Sequence, residues 1–183
     1  ITRTIGRDIV LFRGNTRYVE GIQEKDLKQK EAPVLRKDGV YVFSGGLGGV
    51  AYETAQEFAR QSPNSTLILL GRRPEPLESE TMGKEDEERL RRLQNLKRAA
   101  RCVNYIPCDV TDRESVARMV DEVTSMYGKI NGVIHAAGIG GGISVDQLDT
   151  DRVLRIIAPK IVGTYNLDQE TRHQPLDFFV MFS

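Results

Sequence analysis

Residues 40–51, Val-Tyr-Val-Phe-Ser-Gly-Gly-Leu-Gly-Gly-Val-Ala, constrain this chain more than any other stretch. An apolar run of strand length breaks into glycines and passes directly into a helix-period pattern, with Val50, Thr54, Ala55, Phe58 and Ala59 on one stripe. Gly46, Gly48 and Ala51 fall on the G-x-G-x-x-G/A spacing of a dinucleotide-binding βα turn. In that reading Gly46 permits the tight turn, and Gly48 lets the backbone approach a pyrophosphate that a Cβ would strike. Ala51 is small enough for the helix to lie close on the strand. The helix N-terminus then directs free N–H groups and a partial positive charge at the phosphates. Gly45, Gly46, Leu47, Gly48, Gly49 and Val50 are the candidate contacts. A structural turn without a ligand is the alternative.

The rest of the chain limits the partners. Lys plus Arg and Asp plus Glu number 26 each in 183 residues, so the balance of charge points to neither nucleic acid nor an acidic membrane. No apolar run reaches the roughly 20 residues that span a bilayer, and no signal peptide is visible. The two cysteines, Cys102 and Cys108, flank one expected strand and stand roughly 20 Å apart along it, beyond disulfide reach. That agrees with a reduced, cytoplasmic setting. Two histidines without a cluster of Cys or carboxylates give no metal site. The chain opens on Ile1 and closes on Ser183, straight after the apolar Phe178-Phe-Val-Met-Phe182. A domain rarely ends inside a core strand, so we expect a piece of a longer polypeptide.

Residues 8–13 and 16–20 around Gly14-Asn15 predict a β-hairpin, followed by a charged connector. We expect residues 1–37 to close a preceding unit and residues 38–183 to form an incomplete nucleotide-binding domain. There, strands at 40–44, 66–70, 103–107, 131–136 and 177–182 alternate with helices near 49–61, 85–99, 112–127 and 150–169. Such βα repetition predicts an α/β, Rossmann-like, doubly wound parallel sheet, cut off after its fifth strand. In the strand order 3-2-1-4-5, Pro107 lies on an edge strand, where a missing N–H is tolerated. Thr111 and Glu114 form a T-x-x-E capping box, and Val116, Val120, Val123 and Tyr127 trace one helical face. The second helix carries Glu85, Asp86, Glu87 and Glu88 at its start and Lys97, Arg98 and Arg101 at its end, in the sense the helix dipole favours; a solvated face is the expectation. Pro159 should interrupt and kink the last helix.

Three further segments bear on chemistry. The second strand runs into Gly71-Arg72-Arg73. An acidic residue there holds a ribose 2′-hydroxyl, whereas a basic one accommodates a 2′-phosphate, so Arg72, with Arg73 beside it, favours NADPH; two surface arginines are the bland reading. Asp109 after the third strand is placed to accept from an adenine amino group, with Val110 packed on the ring; helix initiation competes, although Thr111 already offers a cap. The fourth strand ends in His135-Ala-Ala-Gly138, and Ala136, Ala137 and Gly138 leave room for ribose and nicotinamide. His135, among apolar residues, reads as a satisfied core histidine rather than a general base. His173 carries no site signal.

Taken together, Ser44-Gly-Gly-Leu-Gly-Gly-Val50, Gly71-Arg72, Asp109-Val110, His135-Ala-Ala-Gly138, Pro159-Lys160 with Gly163 and Leu167, and Phe178–Ser183 resemble the short-chain dehydrogenase/reductase superfamily. Within it the likeness is to ketoreductase domains of modular polyketide synthases and the related animal fatty acid synthase. It runs from about Val40 onward, and the hairpin with Arg13–Val19 is similar to the last strands of the structural subdomain preceding their catalytic half. The resemblance implies reduction of a β-ketoacyl thioester by NADPH. The acyl chain is held on the phosphopantetheine of an acyl carrier protein, with other synthase domains in the same polypeptide. It also implies Lys160 as the catalytic lysine, which lowers the pKa of a proton-donating Tyr and positions the ribose. Ser183 matches the first of a Ser pair, so the catalytic Ser, Tyr and Asn are expected beyond it and this fragment alone should be inactive. Two positions depart from the family: Ala51 stands for the last glycine, and Gly140-Gly-Gly142 stands where one stereochemical type has Leu-Asp-Asp. A silent ketoreductase-like scaffold and a free-standing short-chain dehydrogenase are the rival readings.

Overall fold

The computed structural model describes residues 10–19, 35–79, 81–140, 144 and 149–182. The chain divides into two units, Ile1–Val34 and Leu35–Ser183. In the first, Val10–Arg13 (β1) pairs antiparallel with Thr16–Val19 (β2) around Gly14-Asn15. Gly14 has φ +60°, which a two-residue hairpin turn with glycine first requires. Most of the expected connector lies outside the described residues.

In the second unit five parallel strands alternate with four helices. They are Val40–Ser44 (β3), Gly49–Gln61 (α1), Thr66–Gly71 (β4), Lys84–Ala99 (α2), Cys102–Pro107 (β5), Arg113–Tyr127 (α3), Gly132–His135 (β6), Thr150–Thr171 (α4) and Phe178–Met181 (β7). The sheet order is β5-β4-β3-β6-β7, the 3-2-1-4-5 order expected, with Pro107 on the edge strand paired to Gly71.

The three inner strands β3, β4 and β6 are largely apolar runs because both faces are covered. Side chains alternate along β3: Val40 and Val42 join Ile68, Leu70, Val116, Val123 and Leu167 on the α3/α4 side. Tyr41 and Phe43 join Leu67, Leu69, Ala55, Ala59, Leu93 and Leu96 on the α1/α2 side. This period of two is set by the pleat. The chain steps outward from β3 through β4 to β5, then returns to place β6 on the other side of β3. A crevice therefore opens at the carboxyl ends of β3 and β6, where the strand order reverses.

Several local expectations are corrected. Asp112, not Thr111, caps α3: its side chain accepts from the Glu114 N–H, while Thr111 turns back to Asp109. Val50 is 52% exposed, and the buried face of α1 is Ala51, Tyr52, Ala55 and Ala59. α4 is not interrupted at Pro159; it continues to Thr171. α3 buries Met119 beside the three expected valines.

Candidate active site

The glycine turn shows which glycine does what. Gly45, not Gly46, adopts the left-handed conformation, at φ +69°. A Cβ on Gly45 would also stand 3.0 Å from Ala137 Cα, so the turn after β3 lies against the chain leaving β6. Gly46 is required for a different reason. A Cβ there would meet Leu69 Cβ at 2.7 Å and Leu69 Cα at 2.9 Å, because its N–H reaches across to donate to the Leu70 carbonyl at 3.0 Å. Gly48 donates to the Gly45 carbonyl at 2.7 Å and closes the turn. Gly49 faces open space, with nothing within 4 Å of a Cβ there. Ala51 is buried at the base of α1, as its size allows.

A cleft of about 820 Å³ opens over this turn. Gly45, Leu47 and Gly48 line one wall, Gly71, Arg72 and Arg73 another, and Ala136 and Gly138 the third. A smaller recess of about 110 Å³ continues from it between Asp109, Val110, Ala137 and Pro159. The crevice thus brings together residues from the ends of β3, β4, β5 and β6 that lie far apart in sequence.

The two arginines differ. Arg73 pairs with Glu85 and, at 3.3 Å, with Asp86. Arg72 is exposed and makes no ion pair or side-chain hydrogen bond among the described residues. Asp109 accepts through Oδ1 from the Thr111 N–H at 2.9 Å and from its hydroxyl at 2.8 Å, leaving Oδ2 without a partner among the described residues. Val110 is buried and touches Gly163 closely enough that a Cβ there would come to 2.7 Å.

His135 is fully buried. Its Nε2 lies 2.9 Å from the Pro159 carbonyl, which only accepts, so Nε2 carries the proton and Nδ1 receives the Ser44 hydroxyl at 2.5 Å. Burial first, and then the Lys160 charge, hold its pKa below the usual histidine value. This is the core histidine that the sequence suggests, joining the residue before the glycine turn to the residue before Lys160. Lys160 passes beside Gly138, where a Cβ would stand 3.0 Å from its Cε, and its Nζ donates to the Phe182 carbonyl. Ser183 and residues 141–142 of the glycine run lie outside the described residues.

Sequence reasoning missed part of the cleft. Glu85, Glu88, Arg89 and Arg92 line it from α2, and Tyr105 from β5. The signal was present: positions 85, 88, 89 and 92 share one helical face at i, i+3, i+4, i+7 spacing. Among the described residues no group of three or more His, Cys, Asp or Glu is placed to hold a metal, and no helix is long and apolar enough to cross a membrane.

Residues 39–183 match the family model described as KR domain. The chain is 32% identical over 175 residues to the polyketide synthase PksN of Bacillus subtilis (strain 168), covering 95% of this chain and 3% of that protein. It therefore spans a small fraction of the synthases it matches. Among solved structures it is similar to an N-terminal ketoreductase from the macrolactin assembly line (TM-score 0.73, 30% identity, 92% of this chain and 31% of that one). It is similar also to a ketoreductase domain from the bacillaene assembly line (TM-score 0.73, 29% identity, 95% and 39%). With the parallel sheet and its glycine turn, these matches establish that the chain belongs to the KR-domain family, the polyketide synthase ketoreductases of the short-chain dehydrogenase/reductase superfamily.

Proposed function

We propose that this chain forms the cofactor-binding part of an NADPH-dependent ketoreductase that reduces a β-ketoacyl thioester carried on an acyl carrier protein. Residues 1–37 close the structural subdomain and residues 38–183 begin the catalytic one, within a larger synthase. The observation that carries the NADPH assignment is Arg72, a guanidinium without a partner among the described residues, at the tip of β4 in the same cleft as the glycine turn. Arg73, tied to Glu85 and Asp86, is the lesser contributor.

The residues present fit a dinucleotide. The turn at 45–49 presents backbone rather than side chains to the cleft, and the first N–H groups of α1 have no partner within the helix. Together with the helix dipole they form an anion site for a pyrophosphate. Arg72 takes the 2′-phosphate in charge-assisted hydrogen bonds. Asp109 Oδ2 accepts from the adenine amino group while Val110 bounds the recess. Ala136, Ala137 and Gly138 leave space for the ribose and nicotinamide. NADPH, when bound, supplies the hydride. Lys160 is the residue of this chain that we assign to the chemistry: its ammonium orients the ribose and stabilises the ionised form of a neighbouring phenol.

Titration with NADPH and NADH tests the reading. Arg72→Glu should weaken NADPH binding about tenfold or more, because one lost charge-assisted contact is of the order of 1.4 kcal/mol or larger, and leave NADH nearly unchanged. Equal NADPH affinity in the two proteins refutes the phosphate contact.

A further inference from the structure

Helix α2 does more than cover the sheet. Arg92 crosses from it to the glycine turn and donates through Nη1 to the Leu47 carbonyl at 2.8 Å. Its Nε is held by Glu88 at 2.8 Å, and its guanidinium lies 5.2 Å from the centre of the Tyr52 ring, on α1. With 25% of its side chain exposed, Arg92 is largely withdrawn from water, where a charge-assisted hydrogen bond is strong. One residue thus joins three segments: the turn at its midpoint, the first turn of the helix that follows it, and α2.

The contact is placed to matter. Leu47 lies between the left-handed Gly45 and Gly48, and the conformation of that stretch decides where its N–H groups point. Two of the three guanidinium nitrogens are hydrogen-bonded and the guanidinium lies over the Tyr52 ring, so its charge is engaged by the protein rather than held free for a ligand. Arg72, without a partner among the described residues, is the contrasting case.

We infer that Arg92 is a positioning residue for the nucleotide, locking the glycine turn in its anion-binding conformation through the Leu47 carbonyl. This rests on the dinucleotide-binding reading above. It differs from the role of Arg72 in a measurable way. A residue that shapes the pyrophosphate seat serves NADPH and NADH alike, whereas a 2′-phosphate ligand serves NADPH alone.

The experiment is fluorescence titration of the chain with NADPH and with NADH, comparing wild type, Arg92→Gln and Arg92→Lys, alongside thermal unfolding. Arg92→Gln is expected to lose about tenfold in affinity for both nucleotides, the size of one charge-assisted hydrogen bond. Arg92→Lys, which keeps the charge but not the fork, should lose affinity for both by a smaller factor. If Arg92→Gln does not fold, the lysine variant decides. Loss confined to NADPH overturns the inference in favour of a direct phosphate contact, and unchanged affinity in a folded variant overturns it outright. If the wild type binds neither nucleotide, the functional reading falls and this inference with it; if the wild type and both variants bind alike, only this inference falls.

Discussion

The neutral state of His135 makes folding stability depend on pH in a definite direction. In the folded chain the imidazole donates from Nε2 to the Pro159 carbonyl and accepts at Nδ1 from Ser44, so a second proton would displace the serine and place a charge in the core beside Lys160. The folded pKa is therefore depressed, while the unfolded histidine keeps a value near 6.5. Below that value the unfolded state binds the extra proton and the folded state resists it, so stability is full above about pH 6.5 and is lost as pH falls. One proton gives a limiting slope of about 1.4 kcal/mol per pH unit, which integrates to at most about 1.4 kcal/mol between pH 7.5 and 5.5. The carboxylates held low by arginines, Glu57 (about 2), Asp86 and Asp177, stay ionised across that window and do not mask the effect. Urea unfolding followed by circular dichroism at pH 7.5, 6.5 and 5.5 measures it. His135→Gln should flatten the slope by that amount. At pH 7.5 it should also lower stability by about 1–3 kcal/mol, since a buried partner loses its bond, and the gap should narrow as pH falls. Parallel pH profiles for the two proteins would show that His135 is not the neutral, buried group described.

Two smaller perturbations probe the backbone. Gly46→Ala forces a Cβ to within 2.7–3.0 Å of Leu69 and the Phe43 carbonyl; the overpacking should cost about 1–3 kcal/mol and lower the melting temperature by about 2–4 °C per kcal/mol, read by thermal unfolding. Asp112→Ala removes the α3 cap and should cost about 1 kcal/mol in urea titration, and a loss from Asp112→Ala no larger than that from Thr111→Ala would contradict the observed cap.

The order of elements was legible from the chain alone because each strand between Val40 and Met181 is a short apolar run and each helix a periodic one. Burying both faces of a sheet under helices leaves few arrangements for such a pattern. That the glycine turn, Arg72, Asp109 and the small residues after β6 meet in one crevice was legible for the same reason: they follow strand ends, and strand ends converge in a parallel sheet. Decisions between neighbours were not legible. The turn falls on Gly45 rather than Gly46 because Gly46 must lie against Leu69 on β4, a contact made only once the sheet assembles. Both arginines line the cleft, but among the described residues Arg72 is without a partner while Glu85 and Asp86 at the start of α2 engage Arg73. Arg92 reaches a carbonyl 45 residues before it. Local pattern follows from the backbone and the hydrophobic period, both properties of short segments. Charge pairing and steric exclusion depend on which distant atoms come within a few ångströms, and that is settled only when the helices close over the sheet.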